Sequence, residues 1–283
     1  MLLPSGLTGY AFTYDNWGAS PSAAPGTAVT PGATNAEGAW TQVASSANIA
    51  QDCFWIGLNV SGGTTASNSK MHLLDIGVDP AGGTSYTAVI SNLACGNSGT
   101  VTGNPRNYFF PYFIKSGSSV AIRIQGSNAT AGTVRILAKF YGQPTHPQNA
   151  PVGSIAQTFG TITNSNGESF TPGNAADGTW VSMGTATTAL WWWQLGAQID
   201  NGTQSAHYTY VDVGVGDVTN KKTILRQFVM SNTSELNGDI VPSNSAFADC
   251  FWPVPAGATI YVRGRNNTAP VTGYNATVIG IGG

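Results

Sequence analysis

The stretch Tyr108-Phe109-Phe110-Pro111-Tyr112-Phe113-Ile114-Lys115-Ser116-Gly117-Ser118-Ser119-Val120-Ala121-Ile122-Arg123 recurs in altered form as Cys250-Phe251-Trp252-Pro253-Val254-Pro255-Ala256-Gly257-Ala258-Thr259-Ile260-Tyr261-Val262-Arg263. In both, two aromatics precede a proline, a glycine follows, and an alternating apolar run ends on arginine. Gly257 and Arg263 each lie 140 residues beyond Gly117 and Arg123 (257 minus 117, 263 minus 123). Each copy reads as a strand, a Pro/Gly turn and a second strand.

Working outward, other motifs repeat in the same order. Thr30-Pro31-Gly32 is answered by Thr171-Pro172-Gly173, and Gly38-Ala39-Trp40 by Gly178-Thr179-Trp180. Asp75-Ile76-Gly77-Val78 is answered by Asp212-Val213-Gly214-Val215, and Ser91-Asn92 by Ser231-Asn232. Offsets stay between 137 (212 minus 75) and 142 (252 minus 110, aligning the aromatic before each proline). Two copies are too few for a solenoid, so the reading is a tandem duplication. Residues 1–142 form one domain with an extended N-terminal segment, 143–151 a stiff linker with three prolines, and 152–283 a second domain. Tyr10, Phe12 and Tyr14 alternate as a first strand, and the residues before them form an arm that either docks or frays. No helical period is sustained, while short strand-like runs alternate with Gly, Asn, Ser and Pro. The expected fold is all-β: two antiparallel, jelly-roll-like β-sandwiches of about eight strands each.

Composition narrows function. Charged residues are 8% of the 283, against about 25% in an average domain. The net charge of −2 supplies no basic field for a nucleic acid backbone. A surface polar through hydroxyls and amides suits a carbohydrate-facing protein or a subunit of a large assembly. With 41% hydrophobic and 10% aromatic residues the chain has the means to fold. No stretch reaches the roughly 20 apolar residues of a membrane helix, and the start carries no export pattern. Cys53, Cys95 and Cys250 are odd in number and lack Cys-x-x-Cys spacing, so buried thiols are expected rather than a disulfide frame or metal knuckle.

Candidate chemistry is sparse. His72, His146 and His207 stand in no ligand or catalytic pattern. Asp75 and Asp212, with Asp79 and Asp217 nearby, raise calcium or glycoside cleavage. Calcium wants six to eight oxygens and a glycosidase two carboxylates in one cleft, yet each copy offers one matched acid. The alternative is a structural ion pair, Asp75 with Arg123 and Asp212 with Arg263, of the bidentate kind. Trp191-Trp192-Trp193, set against Cys53-Phe54-Trp55, reads either as a sugar platform or as packing between sheets, domains or subunits. Strand alternation sends Trp191 and Trp193 to one face and Trp192 to the other. No catalytic, cofactor-binding or metal-binding residue is expected.

With these residues in view, the chain resembles the small β-sandwich structural proteins of tailed bacteriophages. Their pattern is an Asp-hydrophobic-Gly-hydrophobic-Gly strand, a Phe-Pro strand, a Pro-x-Gly turn and an alternating strand ending in Arg. Here it corresponds to Asp212-Val213-Gly214-Val215-Gly216, Phe251-Trp252-Pro253-Val254-Pro255-Ala256-Gly257 and Val262-Arg263. The first copy departs at Asp79 and at Ile114-Lys115-Ser116-Gly117. The resemblance implies a virion component assembled in the host cytoplasm, such as a head decoration, head fibre or tail-tip protein. Its partners would be capsid or tail subunits and further copies of itself, with a host surface glycan as the alternative. It implies no nucleic acid partner, membrane insertion or enzymatic residues.

Overall fold

The computed structural model describes residues 10–15, 26–62, 72–95, 106–126, 132–144, 152–160, 167–199, 207–232, 252–267 and 274–283. The segment before Tyr10, residues 145–151 of the proline-rich linker with His146, and Cys250 and Phe251 lie outside them, while Gln143 and Pro144, expected in the linker, end a strand instead. The first half contributes β1 (Tyr10–Asp15), β2 (Thr27–Val29), β3 (Thr41–Ala44), β4 (Trp55–Gly62), β5 (His72–Asp79), β6 (Thr87–Ala94), β7 (Arg106–Phe110), β8 (Ser119–Gly126) and β9 (Val134–Pro144). The second half contributes β10 (Ile155–Phe159), β11 (Glu168–Phe170), β12 (Gly173–Asn174), β13 (Val181–Thr185), β14 (Leu190–Ile199), β15 (His207–Gly216), β16 (Lys221–Asn232), β17 (Thr259–Asn266) and β18 (Tyr274–Gly282). The described residues contain no helix, so the protein is all-β.

Four sheets form, each drawing its strands from one half. The first half pairs β1-β9-β4-β7, with β2 also on β9, and β3-β8-β5-β6. The second pairs β10-β18-β11, with β14 on the other side of β18, and β12-β17-β15-β16, with β13 on β17. Among the named strands every pairing is antiparallel except the two-residue β12 beside β17.

Period-two alternation builds each core. Leu74, Ile76 and Val78 of β5 and Val120, Ile122 and Ile124 of β8 meet Ile56, Leu58 and Val60 of β4 and Ile136, Ala138 and Phe140 of β9. The second core joins Val211, Val213 and Val215 of β15 and Ile260 and Val262 of β17 to Tyr274, Ala276 and Val278 of β18. The repeated hairpin turns on Gly117 and Gly257, whose φ of 80° and 82° is the left-handed conformation glycine adopts without strain.

The two halves are joined through a shared core. Strand β18 is buried along its whole length. Its even-numbered side chains face the second core, while Ile279 and Ile281 enter the first. The outer face of this sheet thus covers the edge of the first sandwich, where β6 and β7 end their sheets. Hydrogen bonds fix the approach. The Thr277 hydroxyl donates to the Asn92 carbonyl at 2.9 Å, and the Thr158 hydroxyl donates to the Ser91 carbonyl at 3.0 Å. Between the halves, Gly153 runs beside Tyr112, accepting from Phe113 N–H and donating to the Pro111 carbonyl, each at 2.9 Å.

Candidate functional site

The matched acids stand in two equivalent clamps. Asp75 and Asp212 occupy the outward-facing phase of β5 and β15, directly across from Arg123 and Arg263 on β8 and β17. Arg123 Nε donates to Asp75 Oδ2 at 2.8 Å, and its Nη2 stands 2.8 Å from the same oxygen. Arg263 reaches Asp212 Oδ2 at 2.9 and 2.8 Å. The fork therefore closes on one oxygen rather than in the bidentate form the sequence suggested. The reason is that Oδ1 is taken by a backbone amide: Asn92 N–H at 2.8 Å in the first copy, Gln227 N–H at 2.7 Å in the second. Both amides sit in bulges of the neighbouring strand, with φ of 54° and 53°. Gln227, not Asn232, is thus the counterpart of Asn92. Each carboxylate holds a bulge and an arginine together.

A tryptophan and a second acid complete each clamp. Trp40 lies 4.5 Å from the Arg123 guanidinium carbon and Trp180 lies 4.4 Å from that of Arg263, close enough for cation–π attraction. Each ring covers a glycine: a Cβ on Gly77 would stand 2.7 Å from Trp40, and one on Gly214 3.0 Å from Trp180. Glu37 pairs with Arg123 in the first copy, and Asp177 pairs with Arg263 at 2.7 Å in the second.

Burial and the nearby Asp75 carboxylate raise the Glu37 pKa above its ordinary 4.5, against the pull of Arg123. A raised folded-state pKa gives stability that is full below the ordinary value and is lost as pH rises through the folded value. Glu37→Gln should therefore leave the melting temperature at pH 7 unchanged or slightly higher. It should also flatten the dependence of Tm on pH just above 4.5. A fall of many degrees at pH 7 in thermal melts would show instead that the ionised Glu37 is required.

Trp192 and Trp193 are packed inside the molecule, and Trp191 is half-buried. β14 carries an extra residue between Leu190 and Trp192, which face Gly282 and Ile281. This bulge breaks the expected alternation. Trp191 and Trp192 both pack on the first core, while Leu190 and Trp193 pack in the second. Trp192 is 0% exposed, with its ring 5.7 Å from Phe110 in an edge contact, and Trp193 is 1% exposed. The expectation of a displayed Trp192 or Trp191/Trp193 platform is thereby corrected. The register also shifts by one: Leu190 bridges Val254 as Cys53 bridges Ile114, so Trp192 corresponds to Trp55.

The same bridges identify an exposed aromatic that sequence reading passed over. Trp252 takes the place of Tyr112, not of Phe110, because Val254 and Ile114 are equivalent. Tyr112 is 9% exposed beside Gly153, whereas Trp252 is 43% exposed. The Lys222 ammonium sits 4.4 Å from its ring centroid. Other candidates close on the scaffold. Asp79 accepts the Ala81 and Ser85 amides at 2.9 Å each. Asp217 accepts those of Asn220 and Thr219 in the β15–β16 turn, which lower its pKa. Cys53 and Cys95 are buried thiols, and His72 is buried in β5. His207 begins β15. Among the described residues no three His, Cys, Asp or Glu side chains are grouped to hold a metal ion.

No family model matches the chain, and no curated protein matches it. Among solved structures it is similar to PNGF-II at 10% identity and a TM-score of 0.39, covering 86% of this chain and 59% of that one. The cryo-EM structure of Broad Bean Stain Virus gives 10% identity and a TM-score of 0.38 over 92% of each chain. The CBM22-1-CBM22-2 tandem of Paenibacillus barcinonensis Xyn10C gives 10% identity and 0.27, over 85% of this chain and 82% of that one. Scores this low leave function to the chain's own residues.

Proposed function

We propose that the chain is a non-enzymatic surface protein of a tailed-bacteriophage particle, a head decoration or fibre subunit that works by contact between β-sandwiches. The observation that carries this reading is the fate of the motif residues behind the resemblance. Asp75, Arg123, Asp212 and Arg263 hold strands, bulges and tryptophans together in both copies, so the motif supports scaffold rather than chemistry. Low charge density favours close packing of many copies, since few ions must be desolvated. Capsid or tail subunits and further copies of the chain are the partners this reading assigns.

Antibody labelling of intact particles from the producing lysate, viewed by electron microscopy, tests it. Label on heads is the expected result. Label on tails would move the protein to host adhesion, and unlabelled particles would overturn the virion assignment. A second reading, recognition of a host surface glycan, is favoured by Trp252, whose ring is accessible where its counterpart Tyr112 is covered.

A further inference from the structure

Comparing the two copies position by position shows where the second has changed its surface. The paired registers make Lys221, Lys222 and Arg226 of β16 the counterparts of Tyr86, Thr87 and Ser91, and Arg265 of β17 the counterpart of Gln125. Four places that are neutral in the first copy thus carry a cation in the second. At the end of the strand, Asp79 is replaced by Gly216. Trp252 replaces Tyr112 beside this surface. The first copy's edge is covered from within the chain: Asn92, Leu93 and Ala94 are buried at or below 2% exposure. On β16 Lys222, Arg226 and Gln227 are exposed.

From this we infer that the β16 edge with Trp252 is a binding site for an acidic polysaccharide. A flat indole beside an ammonium suits a sugar ring carrying a carboxylate, sulfate or phosphate. The sugar's C–H face takes the place of the Lys222 ammonium that now lies over the indole, and the displaced ammonium meets the acid group. Lys222 and Arg226 stand on either side of a bulge in β16, the outermost strand of its sheet, so both cations belong to the one open edge that Trp252 adjoins. Lys221 is drawn inward, 4.6 Å from the Tyr261 ring centroid and donating to the Val218 carbonyl. It adds positive field without reaching out. Asp217 is the opposing acid at this end, engaged by the turn amides. Nucleic acid is the less fitting polyanion. Its dense phosphates call for a broad basic field, which a chain of net charge −2 does not present. The inference rests on the glycan reading above and sharpens it to a charged ligand class.

The test uses the full chain in retardation gels and calorimetry with three probes: polygalacturonate, neutral dextran and single-stranded DNA. Polygalacturonate binding that weakens at least tenfold between 50 and 500 mM salt, roughly the loss of a few ion contacts, is expected. So is a loss of at least tenfold in Trp252→Ala and in Lys222→Ala/Arg226→Ala, with melting temperatures unchanged. Equal binding to dextran would keep the glycan reading and overturn the acidic class. Tighter binding to DNA would overturn the polysaccharide in favour of a nucleic acid. Unchanged binding in Trp252→Ala would displace the site, and no binding to polygalacturonate would remove the inference. None of these outcomes bears on where the protein sits on a particle, so particle labelling remains an independent test.

Discussion

Trp192→Ala is expected to destabilise the protein by about 3–5 kcal/mol, the cost of emptying a fully buried large aromatic site. That is a large share of the roughly 5–15 kcal/mol that holds a typical fold. The loss should be felt in both halves, because the indole hangs from the second half's β14 yet packs in the first half's core against Phe110. Removing it opens the seam that Ile279 and Ile281 also fill. Urea unfolding should show the lower stability. Hydrogen exchange should quicken in β6 and β7 as well as in β14 and β18. Its counterpart Trp55 sits in a separate cluster with Phe109 and Tyr141, against which Val152 also packs, so Trp55→Ala should disturb the first half and the start of the second but leave β14 and β18 unchanged. A loss below about 1 kcal/mol for Trp192→Ala, with β6 and β7 exchanging as before, would mean that the seam does not depend on the indole.

How much of this could be read beforehand depends on whether the signal was local. Period-two runs such as Val120, Ile122 and Ile124 declare both strand and inner face, since alternation is a property of the strand itself. The offset of Asp75 and Arg123 from Asp212 and Arg263 placed both pairs across neighbouring strands. What sequence could not give was the count of residues between paired positions. The bulge at Trp191 adds one residue to β14, so the expected faces of the triplet were wrong. Bulges also misled the match of Ser231-Asn232 to Ser91-Asn92: the letters agree there, but the backbone amide that meets the carboxylate belongs to Gln227.

Exposure was least readable, because it is set by what lies on top. Tyr112 and Trp252 occupy equivalent positions in equivalent turns, and nothing local separates a covered aromatic from a displayed one. Gly153 at the start of the second half runs along Tyr112, a contact between residues far apart in sequence. By the same logic Trp192 looked like a ligand platform and is instead the wedge between the halves. The clearest sequence sign of the second copy's altered surface was the change of Tyr86, Thr87 and Ser91 to Lys221, Lys222 and Arg226, which becomes visible only once the register is known.

The clamp supplies the other large expected effect. Arg123→Ala should destabilise the first half by about 3 kcal/mol, the lower end for removing one partner of a buried ion pair, since Arg123 keeps 24% of its side-chain exposure. It removes two contacts to Asp75, the pair with Glu37 and the cation resting on Trp40 at once. What remains is Asp75, almost fully buried, facing Glu37 with the arginine gone. Glu37 then loses the charge that lowers its pKa, while burial and Asp75 still raise it. The variant should therefore regain stability as pH falls from 7 toward 4.5, where Glu37 takes up a proton, and lose it again as pH rises. Adding Glu37→Gln should abolish that recovery, which separates electrostatic relief from lost packing. Arg263→Ala should cost less, because Asp177 is 37% exposed and its carboxylate remains hydrated when the arginine is removed. Urea melts of the three variants at pH 5 and pH 7 would decide it. Equal losses for Arg123→Ala at both pH values would place the clamp's contribution in the cation–π stack on Trp40 instead of in the paired carboxylates.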